Sequence, residues 1–522
     1  MLLELDHGRE GFQTMLGISK RIRSLGKRRL LADAVGLALL MAACSSGEGT
    51  SSGEGTNTSV GSRSLKPEVA TSLPPVTSSE FVPETDNGRP FLELSLEEKI
   101  EAFKASFNSI FASHIAAGMG LSGDQKYAPW LLDIQRLALS TETDRAVTRA
   151  LEDLSGIPAT GSPQDDFVQY GRWSRSNQFD PGEGYESFKL LIYSTIQDEY
   201  AVWLDGVDDP QVLAAISWGG VRRGGIPELN DNPRITAAEA DFMTPDELVL
   251  GVVINDVAVA YPLRFMARHE LANDHIDGIP VSLVYCTLCK AGLLFDRRVD
   301  GQIIDFQTSG LLIDSNKIMI DNQTETLWHH LRGQGIAGPL KGVQLEQFPI
   351  QTVRWSDWVA EHPDTETLAT PGPTYYKSPT TRSPITYDYT PGSAYSRYYE
   401  QGTVWFPVID APDILEDQAS VITLSLPEGD LALELASVEG GPPFVVEAGG
   451  HAVLVVPNAG GARIFDAADT GLGEADPVAV AEVTPATATL DDGTELGRIV
   501  SGQSFWFAWW GIHQDTEVWP RS

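Results

Sequence analysis

The chain has 522 residues and carries 72 acidic against 37 basic side chains, a formal net charge of −35. A surface this acidic repels nucleic-acid phosphates and anionic lipid head groups, which excludes a nucleic-acid partner and favours solubility. The length is enough for two or three domains, and no P-loop, dinucleotide fingerprint or nucleophile elbow occurs in it.

In chain order, Lys20, Arg21, Arg23, Lys27, Arg28 and Arg29 form a basic leader, and Ala34 to Ala43 is an apolar stretch too short to span a bilayer as a helix. The stretch ends in Leu39-Leu40-Met41-Ala42-Ala43-Cys44, which resembles a bacterial lipobox. The resemblance implies a signal peptide over 1–43, cleavage before Cys44 and lipid on its sulfur. It places the body outside the cytoplasm, in the cell envelope, with the membrane as partner through the lipid anchor. Residues 44–90 read as a flexible linker: Ser45-Ser46-Gly47-Glu48-Gly49-Thr50 is followed by the same hexapeptide from Ser51. So polar a segment cannot bury enough apolar surface to offset its ordering entropy.

Residues 91–210 read as a helical accessory domain. Ser95-Leu96-Glu97-Glu98 is a helix start, with Ile100, Phe103, Phe107, Ile110 and Phe111 following at helical spacing. Amphipathic stretches run from Trp130 towards Leu154 and from Phe188 to Trp203. The pattern then changes. Leu248 to Ile254, the turn Asn255-Asp256, and Val257 to Tyr261 predict a β-hairpin. Val281 to Tyr285 is an apolar strand, Leu293 to Arg297 and Ile303 to Gln307 flank the turn Asp300-Gly301, and Trp355 to Glu361 is a short helix.

The chain also repeats itself. Trp355-Ser356-Asp357-Trp358 with His362 and Asp364-Thr365-Glu366 returns as Trp506-Phe507-Ala508-Trp509 with His513 and Asp515-Thr516-Glu517 at a constant offset. Ile422 to Leu426, Gly429-Asp430 and Leu431 to Leu435 mimic the first hairpin, and Val453 to Val456 mimics Val281 to Tyr285. The expected fold class is therefore α+β: a helical domain, then two related β-rich modules with short helices, 211–420 and 421–522, the second degenerate.

Chemistry concentrates in the first module. Of three cysteines in the chain, two are Cys286 and Cys289, separated by Thr287-Leu288. With His269 they make a soft-metal ligand set suited to zinc or copper, Glu270 serving as a candidate catalytic base and Asp274 standing near. Soft-metal binding is the leading reading of the pair; the alternatives are a thiol–disulfide couple in an oxidising compartment and a structural disulfide in a non-catalytic envelope binding module. The residues leave metal or disulfide open, and with it whether the protein is an enzyme and whether its partner is a protein or a small molecule. The second module has Pro457-Asn458-Ala459-Gly460-Gly461 where the first has its cysteines, so folding alone does not demand the thiols. Asn316 and Asp321 are further candidates for a pocket. His329-His330 is set aside, because adjacent side chains diverge. Tyr387, Tyr389, Tyr395, Tyr398 and Tyr399 crowd a Pro/Gly/Ser-rich segment, a lid or a surface stacked between modules.

Several motifs together resemble an uncharacterised prokaryotic family, Domain of Unknown Function 3179. They are Trp218-Gly219-Gly220-Val221, Asp231-Asn232-Pro233, Ala260-Tyr261-Pro262-Leu263, His269-Glu270, Tyr285 to Cys289, Phe295-Asp296-Arg297, Gly338-Pro339-Leu340 and Trp405-Phe406-Pro407-Val408. The resemblance covers about 211–522 and implies no known activity. Arg268 and Thr287 depart from the family's pattern, which has Trp and Pro at these places.

Overall fold

The computed structural model describes residues 94–106, 111–138, 140–372, 376–377, 384–385, 387–473 and 478–520. The expected signal peptide, Cys44 and the linker lie outside the described residues. Among the described residues no helix is long and apolar enough to cross a membrane.

The described residues between 94 and 215 form a series of helices, and Phe107 and Ile110 of the first expected helix lie outside the described residues. The first helix, Leu96–Ser106, starts where expected because Ser95 and Glu98 cap it reciprocally: the Glu98 N–H donates to the Ser95 hydroxyl (3.2 Å) and the Ser95 N–H to the Glu98 carboxylate (2.8 Å). Then follow Ala112–Ser122, Ala128–Arg136, Thr141–Ser155, Pro163–Asn177, Tyr185–Ser194, Glu199–Leu204 and Pro210–Ala215. The stretch predicted from Trp130 to Leu154 is two helices, because the Ser140 side chain accepts the Thr143 N–H and starts a new one. Among the described residues the helical region shares its core with the β-rich part. Its buried face, including Ile115, Leu131 and Tyr193, is continuous with Ile216, Leu311 and Ile318 of the β-rich part. A buried polar knot ties the two at one point. Lys189 Nζ lies 3.2 Å from Asp133 Oδ1 and donates to the Ile216 carbonyl (2.5 Å), while the hydroxyls of Tyr185 and Tyr193 donate to the Asp133 carboxylate (2.7 and 3.0 Å).

The rest of the chain is β-rich, so the protein is mixed α+β. Its five larger sheets form a propeller-like arrangement. Sheet A has the strand order Gln351–Arg354, Leu248–Ile254, Val257–Pro262, Glu366–Leu368, Arg234–Thr236. Sheet B runs Gln347–Phe348, Ala291–Asp296, Ile279–Cys286, Leu271–Ile276, Leu229–Asn230. Sheet C runs Ile216–Trp218, Phe306–Ile313, Asn316–Asp321, Leu327–His329, Gln334–Ala337. Sheet D runs Gly502–Phe505, Ser420–Leu426, Gly429–Glu434, Glu517–Trp519. Sheet E runs Phe444–Ala448, His451–Asn458, Gly461–Asp466, Glu495–Ile499, Thr487–Leu490, Val480–Val483.

The predicted hairpin of sheet A turns at Asn255 (φ 48°) and Asp256 (φ 65°), the paired positive φ values that a two-residue hairpin loop needs. The Asp300-Gly301 turn also forms, with φ of 48° and 79°, but it joins only Arg298–Val299 to Gln302–Ile303. The longer strands on either side go to different sheets, Ala291–Asp296 to B and Phe306–Ile313 to C. A turn signal reports local backbone shape, and it does not say how far the flanking chains stay together.

Sheets A and D share a pairing order. In each, the first hairpin strand pairs antiparallel with an edge strand (Gln351–Arg354; Gly502–Phe505), and the second pairs parallel with a strand on its other side (Glu366–Leu368; Glu517–Trp519). A short helix joins these two flanking strands, Trp355–Glu361 in one and Trp506–Trp510 in the other. Trp358 Nε1 donates to Thr365 Oγ1 (2.8 Å) and Trp509 Nε1 to Thr516 Oγ1 (2.9 Å). His362 and His513 pack on these indoles at 4.1 and 3.8 Å between ring centres.

Candidate functional site

The strand Ile279–Cys286 delivers Cys286 into the interior, where sheets B, C and D meet. Cys286 pairs with Ala291 across the turn, the Cys289 N–H donates to the Cys286 carbonyl (3.2 Å), and Lys290 (φ 52°) sends the chain back into Ala291–Asp296. The pair therefore sits in a strand–turn–strand, with no helix following it. Both thiols are free, 2% and 0% exposed, and their sulfurs are 3.1 Å apart.

Sheet C supplies the surroundings. The turn Asp314-Ser315 (φ 46° and 61°) sets Asn316 opposite Ile313 and aims the Ser315 carbonyl and the Asn316 amide at the sulfurs. Cys289 Sγ donates to the Ser315 carbonyl (3.5 Å), and Asn316 Nδ2 donates to Cys289 Sγ (3.2 Å). The turn is braced from the helical region by Arg175, whose Nε and Nη2 donate to the two Asp314 oxygens at 2.6 and 2.9 Å. His330, fully buried, brings its Nδ1 to 3.4 Å from Asn316 Nδ2. The next residue along the strand, Lys317, forms a buried ion pair with Glu270, and the other Glu270 oxygen accepts from the Thr287 hydroxyl (3.0 Å).

Glu270 reaches this cluster because it caps the helix Leu263–His269 in the left-handed region (φ 63°), where its carbonyl accepts the Tyr285 N–H (2.7 Å). The turn is clasped from a further side. The Tyr398 hydroxyl donates to the Leu288 carbonyl and the Tyr399 hydroxyl to the Thr287 carbonyl, both at 2.8 Å, and the Phe505 N–H of sheet D donates to the Cys289 carbonyl (2.7 Å).

The two sulfurs are not equivalent electrostatically. Burial pushes both thiols up. At Cys286 this is outweighed by the Cys289 hydrogen bond, then His330, then the Lys317 charge, and the thiol is drawn well below its ordinary range. At Cys289 burial and the neighbouring sulfur act together, and the thiol is held well above it.

Among the expected site residues, the structure brings together Glu270, Cys286, Cys289 and Asn316. It gives His269 other partners: Nδ1 lies 2.8 Å from the Pro227 carbonyl and Nε2 2.6 Å from the Tyr389 hydroxyl, and burial lowers its pKa. Among the described residues no group of three or more His, Cys, Asp or Glu side chains is gathered to hold a metal ion. Asp274 belongs to a separate cluster, accepting from Arg234 Nη2 and the Tyr261 hydroxyl at 2.7 Å each. Asp321 organises a turn, accepting from the N–H groups of Gln323, Thr324 and Thr326 and from Trp328 Nε1. Lys317 and the Ser315 carbonyl are not picked out by sequence, and His330 belongs to the His329-His330 pair that the sequence reading sets aside. The signals available were that pair and Asp314-Ser315-Asn316, a tight turn between two apolar strands.

A β-rich, propeller-like protein with a buried dithiol where three sheets converge is the class these features define, and such a scaffold does not by itself name a reaction. Residues 223–516 match the family described as "Protein of unknown function (DUF3179)", and the chain belongs to that family. No curated protein and no solved structure matches the chain.

Proposed function

We propose that the protein is a thiol–disulfide exchange protein of the cell envelope, tethered by lipid on Cys44, with Cys286 and Cys289 as its redox couple. The observation that carries this reading is the pair of free, buried sulfurs 3.1 Å apart. A disulfide is about 2.05 Å long, so closing one asks for about 1 Å of sulfur movement. In the exchange, the two thiols and a substrate disulfide become a Cys286–Cys289 disulfide and two substrate thiols. Two electrons pass from the protein to the substrate, and the reverse direction returns them. Tyr398 and Tyr399, which hold the Leu288 and Thr287 carbonyls, oppose opening of the turn to a substrate.

The sheet pattern supports a second part of the reading: residues 211–420 and 421–522 are related modules, the latter degenerate. Sheets A and D share pairing order, joining helix and the Trp–Thr hydrogen bond. In sheet E the counterpart of the cysteine turn is closed by Asn458 opposite Gly461, with no thiol. A turn that forms without cysteines favours a chemical use for them over a structural clamp.

The rival reading, zinc or copper held by the thiols, needs a further ligand, and His269 would first have to give up Pro227 and Tyr389. The experiment is a redox titration of the intact protein in graded glutathione buffers, with thiols counted by alkylation and mass. One reversible two-electron transition is expected. A pair that stays wholly reduced or wholly oxidised throughout, or stoichiometric metal in the wild type that Cys286→Ser loses, would refute the proposal.

A further inference from the structure

Asn316 touches both halves of the dithiol site, and its orientation is determined. Its Oδ1 accepts the Leu331 N–H (3.4 Å), so Nδ2 faces inward, towards Cys289 Sγ (3.2 Å) and His330 Nδ1 (3.4 Å). An amide N–H can only donate, so His330 Nδ1 is the acceptor and the ring proton sits on Nε2. Nε2 is buried and has no hydrogen-bond partner of good geometry, and His330 is one of the groups that draw the Cys286 thiol down. A buried donor without a partner is a costly feature that calls for an explanation.

We propose that Cys286 is the attacking sulfur, that Cys289 is the resolving sulfur, and that His330, oriented by Asn316, donates its Nε2 proton in a hydrogen bond to the Cys286 thiolate. The proposal rests on the thiol–disulfide reading above. Cys289 keeps its single proton, which the Cys286 sulfur at 3.1 Å and the Ser315 carbonyl at 3.5 Å share as acceptors. The other ionisable groups around the pair are accounted for. Lys317 is paired with Glu270, Tyr398 and Tyr399 donate to backbone carbonyls, Tyr285 lies against Tyr399, and His329 and Arg332 flank His330. None of the hydrogen bonds to the sulfurs comes from these groups.

In the exchange, the Cys286 thiolate bonds to one substrate sulfur. The other leaves as a thiolate and takes from solvent the proton that Cys286 had released. Cys289 then attacks Cys286 Sγ, breaking the mixed disulfide, and its proton passes to the second departing sulfur. His330 keeps its proton throughout, and Asn316 is a positioning residue that acts through it.

The test traps the intermediate with oxidised glutathione. Cys289→Ser is expected to accumulate one glutathione on Cys286, and Cys286→Ser to accumulate about tenfold less, the factor a hydrogen bond to a charged sulfur supplies. In the Cys289→Ser background, His330→Gln, which keeps a side-chain N–H near the Nε2 position, is expected to trap at nearly the parental rate. His330→Asn, too short to reach Cys286, is expected to fall by about tenfold. Glutathione retained on Cys289 rather than Cys286, or equal trapping by the Gln and Asn variants, would overturn the proposal. If wild type fails the redox titration, the thiol–disulfide reading itself falls. If it titrates normally and these outcomes fail, only the division of labour does.

Discussion

Replacing Lys317 by Met is expected to loosen the site because of what it leaves behind. Lys317 and Glu270 are 3% and 5% exposed, so neither charge has water to fall back on. Without the ammonium, Glu270 keeps only the Thr287 hydroxyl, on one oxygen. Stripping one partner from a buried ion pair costs about 3–5 kcal/mol, because the remaining charge stays desolvated and unpaired. Removing both charges, in Glu270→Gln with Lys317→Met, restores most of that, since Gln still accepts from Thr287. In a chain with several sheets one unfolding free energy is ill defined, so the assay is native-state hydrogen exchange of the strands Leu271–Ile276 and Asn316–Asp321. At about 1.4 kcal/mol per tenfold, the single variant should exchange these amides about a thousandfold faster. The double variant should recover all but about tenfold of that protection. The reasoning fails if the single variant stays within tenfold of wild type, or if the double variant is no better than the single.

Burial brings the His329 pKa down to about 3, below its ordinary value, so as pH falls the unfolded chain takes up the proton first. The stability tied to His329 is intact above about pH 6.5 and lost progressively towards pH 3, by about 2–3 kcal/mol at pH 4.5. His329→Gln should flatten the acid limb of stability against pH, and an unchanged slope would count against this assignment. Tyr399→Phe removes one clasp on the cysteine turn, and alkylation of the thiols by iodoacetamide should quicken by about tenfold, one buried hydrogen bond's worth; an unaltered rate means the turn opens elsewhere. Cys44→Ser should release the protein from membranes or leave an unprocessed precursor, and a mutant that fractionates and migrates like wild type refutes the lipid anchor.

Much of the fold could be read from local chemistry. The reciprocal cap at Ser95 and Glu98, the positive-φ pair at Asn255-Asp256 and the strand–turn–strand around Cys286 and Cys289 are each decided by a few neighbouring residues. The site could be read only in part, for a geometric reason. His269 and Glu270 are adjacent, and only the end of the helix Leu263–His269 decides which of them turns towards the thiols. Glu270, in the left-handed cap, does so, and His269 goes to Tyr389. Lys317 and His330 arrive from sheet C, whose register against sheet B depends on long-range packing. Chemical kinship made His269 the obvious ligand, but proximity in the chain says nothing of direction.

The core shared between the helices and sheet C has a consequence for how far the architecture can vary. Leu311, Ile313, Ile318 and Ile320 lie beneath the helical region, which begins upstream of the stretch that matches the family. A relative lacking those helices could not leave this apolar face open to water. It must carry polar side chains at these four positions, or roof the sheet with another segment or a second subunit. The Arg175–Asp314 brace crosses the same junction and ends at the turn holding Asn316, so whatever replaces the helices also inherits the task of steadying the dithiol.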